Sequence, residues 1–224
     1  MIADEAWKTL WPNVVELGTD FKDVVFIGGI AVYLHSKNQQ IDALAAVDLI
    51  EFSHDIDLCV SLPDFADMRD AYIVTPARQG GKQQMIMRNR GVDIYVERNH
   101  RLAVPYDELK AYAVAYDGLK TACLEHLLIL KLDAAADRLA SPKGEKDRRD
   151  IAKIGLLMDH PGEILLPYLS DDRLALLAHT AKSPVFMEIA QGNAHHAKVL
   201  RERFERIWGK INAMAQTAEN PPMP

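Results

Sequence analysis

The chain has 224 residues, 49% of them hydrophobic and 26% charged, and a formal net charge of -6. That length gives one large domain or two small ones with a genuine core, in the composition range of a globular chain rather than a disordered one. The acidic balance excludes a molecule whose whole surface attracts nucleic acid, and the basic runs Lys143, Lys146, Arg148, Arg149 and Arg201, Arg203, Arg206 read as solvated helix faces.

The first segment, Asp4 to Leu17, predicts a helix, with Trp7, Leu10, Trp11, Val14 and Val15 close to one face. Its acidic start, MIADEAWKTLW, lacks the basic start and apolar block of a signal peptide, and no apolar run approaches bilayer length. The expected location is the cytoplasm. VVFIGG then reads as a buried strand closed by a glycine turn, followed by a helix over IAVYLHSKNQ and a short helix over Gln40–Leu49.

HDIDLCVSL alternates Ile56, Leu58 and Val60 against Asp55, Asp57 and Cys59, the pattern of a strand with one face in a core. Pro63 to Arg69 predicts a helix with proline in its first turn. KQQMIMRNRGVDIYVER reads as a hairpin, with strands over 83–88 and 92–97 joined through Asn89, Arg90 and Gly91. A short helix over Tyr106–Tyr112 and a small hairpin at Asp117-Gly118 follow. From Cys123 the pattern is helical: LEHLLILKLDAAADRL, the loop ASPKGEK, DRRDIAKIGLLM, and two or three more helices from Gly162 to about Met214. The expected class is α+β. A small mixed-sheet core over 1–121 precedes a helical part over 122–215, and a polar, proline-rich tail covers 216–224.

Asp55 and Asp57, two apart on a strand, project from one face and can reach one small cation together. Asp93 alternates with Val92 and Ile94 and offers a third carboxylate beside Tyr95. Such oxygen donors suit Mg²⁺, which keeps waters and substrate phosphates in its shell. Without a cation the carboxylates would repel one another; the competing reading makes each a cap for a loop or helix. Gly28-Gly29 stands where strand becomes helix, where backbone N–H groups favour an anion. Cys59 and Cys123 sit among apolar residues at no zinc spacing and read as reduced packing residues. His54 reads as a half-exposed strand-end residue and His126 as a hydrogen-bonded core histidine, while Tyr95 and Glu97 read as rim residues of the cleft.

GGIAVYL, HDIDLCV and GVDIYV, in that order, resemble the polymerase-beta-like nucleotidyltransferases. LEHLLILKLDAAADRLASPKGEKDRRDIAKI resembles the branch that includes the type IV toxin-antitoxin and abortive-infection nucleotidyltransferases. In that branch a leucine-rich helix carries a lysine, here Lys131, and a Lys-Asp-x-x-Asp segment, here Lys146 to Asp150, starts the next helix. The likeness covers roughly residues 24 to 155. Two departures stand out: residues 30 to 54 make an unusually long segment before the aspartates, and glycine rather than serine follows Gly28.

The resemblance implies Mg²⁺ held by Asp55, Asp57 and Asp93, and transfer of a nucleoside monophosphate from an NTP to a hydroxyl on RNA (tRNA included), protein or a small molecule. It also implies Asp93 nearest the nucleophile, and Gly28, Gly29, Lys131, Lys146 and Asp150 around the nucleotide. A toxin role with an antitoxin partner belongs to the same implication. Residue by residue, Lys131 equally reads as snorkelling to water or pairing with Asp133 or Glu125. Asp147 and Asp150 equally read as charges favoured at a helix N-terminus. The alternative for the whole chain is a catalytically weak module of the same fold that binds a nucleotide or a protein.

Overall fold

The computed structural model describes residues 2–38, 49, 53–78, 81–99, 101–138 and 142–219. These fall into two compact units, one within 1–38 and 50–123, the other within 39–49 and 124–224. The helix expected over Gln40–Leu49 lies outside the described residues apart from Leu49 itself.

The first unit opens with α1 (Ile2–Asp20), then β1 (Val25–Ile27), α2 (Gly28–Asn38), β2 (Ile56–Val60) and α3 (Leu62–Ala71). It continues with β3 (Thr75–Pro76), β4 (Gln83–Met87), β5 (Arg90–Val96), α4 (Tyr106–Ala111), β6 (Val114–Tyr116) and β7 (Leu119–Thr121). The strands form one mixed sheet in the order β3-β4-β5-β2-β1-β7-β6. β2 runs parallel to β5 and antiparallel to β1, and β1 runs parallel to β7. The α+β expectation holds.

Alternation sets the sheet's faces. Ile56, Leu58, Val60, Met85, Met87, Val92 and Ile94 are buried with Leu10, Val14, Leu17, Phe26 and Ile30 in one core. Burying side chains of this size contributes about 1.5–3 kcal/mol each before entropy is counted. In α1 the inward stripe is Leu10, Val14 and Leu17, with Trp7 and Trp11 packed at its edge; Val15, expected on that face, is 41% exposed. It sits one residue, about 100° of helical turn, past the stripe.

The hairpin differs from its expected form by a shift in the turn. Met87 pairs with Arg90, so the turn is the two residues Arg88 and Asn89, at φ 45° and 63°. Two successive positive φ angles make a primed turn, whose twist matches the strands. Arg90 and Gly91, expected in the turn, belong to β5. α1 clamps this turn: the buried Asn13 donates from Nδ2 to the Met87 carbonyl at 2.8 Å and accepts from Arg88 Nη1 at 2.6 Å. The Asp117-Gly118 hairpin forms as expected between β6 and β7.

The second unit is helical: α5 (Leu124–Asp137), α6 (Pro142–Leu157), a 3-10 helix (Glu163–Tyr168), α7 (Asp171–Lys182), α8 (Val185–Ile189) and α9 (Ala194–Glu219). α6 starts at Pro142, inside the stretch expected to be loop, as proline's fixed φ allows in a first turn. α9 continues through Gln216–Glu219, where the sequence reading begins its tail. α6 and α9 approach closely at Gly155, where a Cβ would lie 2.5 Å from the Phe204 ring. Arg203 on α9 donates to the Leu156 carbonyl at 2.7 Å and to the Met158 carbonyl at 3.3 Å, satisfying acceptors at the end of α6. Among the described residues no helix is long and apolar enough to cross a membrane.

Candidate functional site

On the sheet face opposite the core, Asp57 and Asp93 are register partners on the parallel strands β2 and β5. Neighbouring strands are about 4.8 Å apart, so the two carboxylates rise side by side. Both are half-buried, as is Asp55, which lies in the bend just before β2 rather than within it. Ser53 shapes that bend, donating from Oγ to the Asp55 carbonyl at 2.9 Å and lying 3.4 Å from its Oδ1.

Asp93 is held by two side chains that the sequence reading did not single out. Lys82 forms an ion pair with its Oδ2, and Gln84 Nε2 donates to Oδ1 at 2.7 Å. Gln84 pairs directly with Asp93 in the hairpin register. The turn fixes that pairing. With the turn at Asn89–Gly91, Met87 instead of Gln84 would have stood beside Asp93. The signal was present in the sequence, because Asn tolerates positive φ, but Gly91 drew the turn toward itself.

Gly28 opens α2 at φ 64°, and a Cβ there would lie 2.3 Å from Asp57 Oδ2. The absent side chain therefore makes room for the Asp57 carboxylate at the first turn of α2, where the helix dipole favours negative charge. Gly29 is buried in the same turn. Asp57 also acts on Cys59, two residues along the strand. Burial, and then the neighbouring Asp57 charge, push the Cys59 thiol well above its ordinary range, so it stays protonated packing rather than a nucleophile.

The second unit gathers the remaining sequence candidates by themselves. Lys131 on α5 pairs with Asp150 Oδ2 at 2.6 Å and with Asp147 Oδ1 at 3.4 Å, both on α6, and Arg138 pairs with Asp147 Oδ2 at 3.0 Å. The two carboxylates are 6% and 3% exposed. Because α6 begins at Pro142, Asp147 and Asp150 stand inside the helix and hold it to α5; the helix-terminus reading is corrected. The partners expected for Lys131 are engaged elsewhere: Asp133 with Arg173 at 2.9 Å, and Glu125 with the Gly162 amide at 3.1 Å. Lys146 is half-buried on α6.

His54 is exposed at the bend before β2, and His126 is buried edge-to-face with Tyr168. Glu97 accepts from the Leu62 amide at 3.1 Å, at the start of α3. Tyr95 lies 5.8 Å beneath the Lys82 ammonium.

Among the described residues no group of three or more His, Cys, Asp or Glu side chains is arranged to hold a metal ion. The donor chemistry still suits a hard cation. Mg²⁺ is commonly held by one or two carboxylates and completes its shell with water and phosphate oxygens. The register-matched pair Asp57 and Asp93 meets that need, with Asp55 one step upstream. The Lys82 ammonium already places positive charge there.

No protein-family model matches the chain, and no curated protein matches it. Solved structures do. An antigenic nucleotidyltransferase-like protein from Paracoccidioides brasiliensis superposes with a TM-score of 0.54 at 18% identity, over 83% of this chain and 93% of that one. The Megavirus polyadenylate synthase aligns with a TM-score of 0.47 at 18% identity, over 78% of this chain and 37% of that one. The first likeness shows that this chain shares the fold of that nucleotidyltransferase-like protein.

Proposed function

We propose that the chain is a Mg²⁺-dependent nucleotidyltransferase that moves a nucleoside monophosphate from an NTP to an acceptor hydroxyl. The observation that carries this reading is the pairing of Asp57 with Asp93 across β2 and β5, beside the glycine-opened turn of α2. A fold shared with a nucleotidyltransferase-like protein supports it.

In the reaction the acceptor oxygen forms a bond to the α-phosphorus, the bond from that phosphorus to the β-phosphate bridging oxygen breaks, and pyrophosphate leaves. Mg²⁺, when bound, would neutralise phosphate charge and lower the pKa of the attacking hydroxyl. Asp57 and Asp93, with Asp55 upstream, would hold the cation. Asp93 orients the acceptor hydroxyl and takes its proton, while Gln84 fixes the carboxylate through Oδ1. Gly28 keeps the space beside Asp57 clear. The acceptor classes are RNA, including tRNA, protein and small molecules. A toxin role countered by an antitoxin protein follows from the sequence resemblance alone.

A second reading, a nucleotide- or protein-binding module with weak catalysis, is favoured by one observation: the described carboxylates are not gathered into a ready metal group. Calorimetric titration of each NTP with and without Mg²⁺, repeated on Asp55→Ala/Asp57→Ala, separates the two. Magnesium-dependent binding lost in the variant, together with transfer of radiolabel to RNA or protein, supports the enzyme. Nucleotide binding without transfer moves the chain to the binding-module reading, and no nucleotide binding removes the enzyme reading.

A further inference from the structure

We propose that Lys82 is a tethered counter-cation for Asp93, which an incoming divalent metal must displace before that carboxylate can serve as a ligand. The inference rests on the nucleotidyltransferase reading of the site and concerns how that site is kept before it is loaded.

The placement of Lys82 is built rather than incidental. It follows Gly81, at φ 64°, in the turn that leads the chain into β4. Asn99 holds this turn, with Nδ2 3.4 Å from the Gly81 carbonyl, while its Oδ1 accepts from the Arg101 amide at 3.1 Å. The Lys82 side chain is only 23% exposed and the Asp93 side chain 15%. The ammonium meets Asp93 Oδ2 and lies 5.8 Å from the centre of the Tyr95 ring, two residues along the same strand face. Gln84 takes the other oxygen, Oδ1. Each Asp93 oxygen thus has a protein partner.

The physical need is plain. Asp57 and Asp93 are half-buried and side by side, and two such carboxylates disfavour each other's charge unless a cation stands near. A flexible lysine supplies that charge without coordinating. A divalent ion brings twice the charge to the same oxygens, and the ammonium and the ion repel each other at this range. Metal entry and retention of the Lys82–Asp93 pair are therefore opposed. Lys82 is a positioning residue for the resting site.

The test is Mn²⁺ binding to the full chain, followed by electron paramagnetic resonance and by the metal-induced rise in Tm, for the wild type, Lys82→Met, Lys82→Gln and Lys82→Arg, each with and without Asp93→Asn. Circular dichroism confirms folding, and the two neutral variants back each other up. The expected result is Mn²⁺ affinity raised on the order of tenfold in Lys82→Met and Lys82→Gln. Lys82→Arg should stay near the wild type, and the gain should vanish when Asp93→Asn is present. Equal or weaker Mn²⁺ binding in the neutral variants overturns the role of Lys82 while leaving the nucleotidyltransferase reading intact. A gain that persists with Asp93→Asn overturns it too, since the lysine would then act elsewhere. Mn²⁺ binding by none of the proteins removes both this inference and the metal-dependent reading beneath it.

Discussion

Each unit sets a lysine against carboxylates, and the two settings differ. In the helical unit Lys131 is enclosed with Asp147 and Asp150, whose side chains are nearly inaccessible and whose charges are matched by Lys131 and Arg138. In the sheet unit Asp57, Asp93 and Asp55 stand half-buried, with Lys82 and Gln84 reaching Asp93 from the hairpin. An enclosed charge group must be complete within the fold, because an unpaired buried charge is costly. A half-buried one that solvent still reaches can exchange partners, because water and ions can take the place of a side chain. The same residue types therefore serve cohesion in one unit and exchange in the other.

The contrast can be broken most severely at its enclosed end. Lys131→Met should cost about 3–5 kcal/mol by removing the cation paired with the buried Asp150 carboxylate, while Asp147 keeps Arg138, measured as a lowered urea midpoint with the slope unchanged. A change below 1 kcal/mol would mean that the pairs carry little of the unit's stability. Next in size, Gly155→Ala should cost about 1–3 kcal/mol, because the added methyl meets the Phe204 ring and the helices must part; thermal unfolding checks it. Gly28→Ala should cost about 1–3 kcal/mol from the positive φ. By pushing on Asp57, it should also abolish Mg²⁺-dependent nucleotide binding while circular dichroism stays unchanged. Asp55→Asn sharpens the comparison from the other side. It keeps an oxygen for Ser53, so stability should move by no more than about 0.5 kcal/mol, yet metal binding should fall.

The smallest effect is a pH one. The Tyr72 hydrogen bond first, and then Arg88, hold the Glu16 carboxyl below its ordinary value. A depressed folded-state value means the stabilisation is present above the unfolded value of 4.5 and fades as pH falls through the folded one. Glu16→Gln should flatten that acid limb by less than about 1 kcal/mol, read from denaturation midpoints between pH 5 and 2.5.

Much of the site was legible because the residues that make it also make the strands. Ile56, Leu58 and Val60 alternate with the acidic positions, and Val92 and Ile94 flank Asp93, so core burial and carboxylate display come from one pattern. The Gly28-Gly29 break was legible for a similar reason, since two glycines closing an apolar β-branched run mark where a strand gives way to a turn. Lys82 and Gln84 were hidden because their meaning depends on register. A turn placed too late in the hairpin moves every cross-strand partner of Asp93, and register lies in turn geometry rather than composition. The two-residue strand β3 was also missed, being too short to show a period. Asp147 and Asp150 read as terminal charges in the sequence because ASPKGEK has the composition of a loop, whereas α6 starts at Pro142 and encloses both aspartates within the helix.

The arginine that closes α6 has a consequence in time rather than in space. Arg203 satisfies carbonyls 47 and 45 residues earlier in the chain, at Leu156 and Met158. A growing polypeptide that has just completed α6 cannot yet obtain those hydrogen bonds, and Gly155 still lacks the Phe204 ring that packs on it. The helical unit is therefore committed late in synthesis, and until α9 arrives α6 is a segment that a chaperone or protease can still reach.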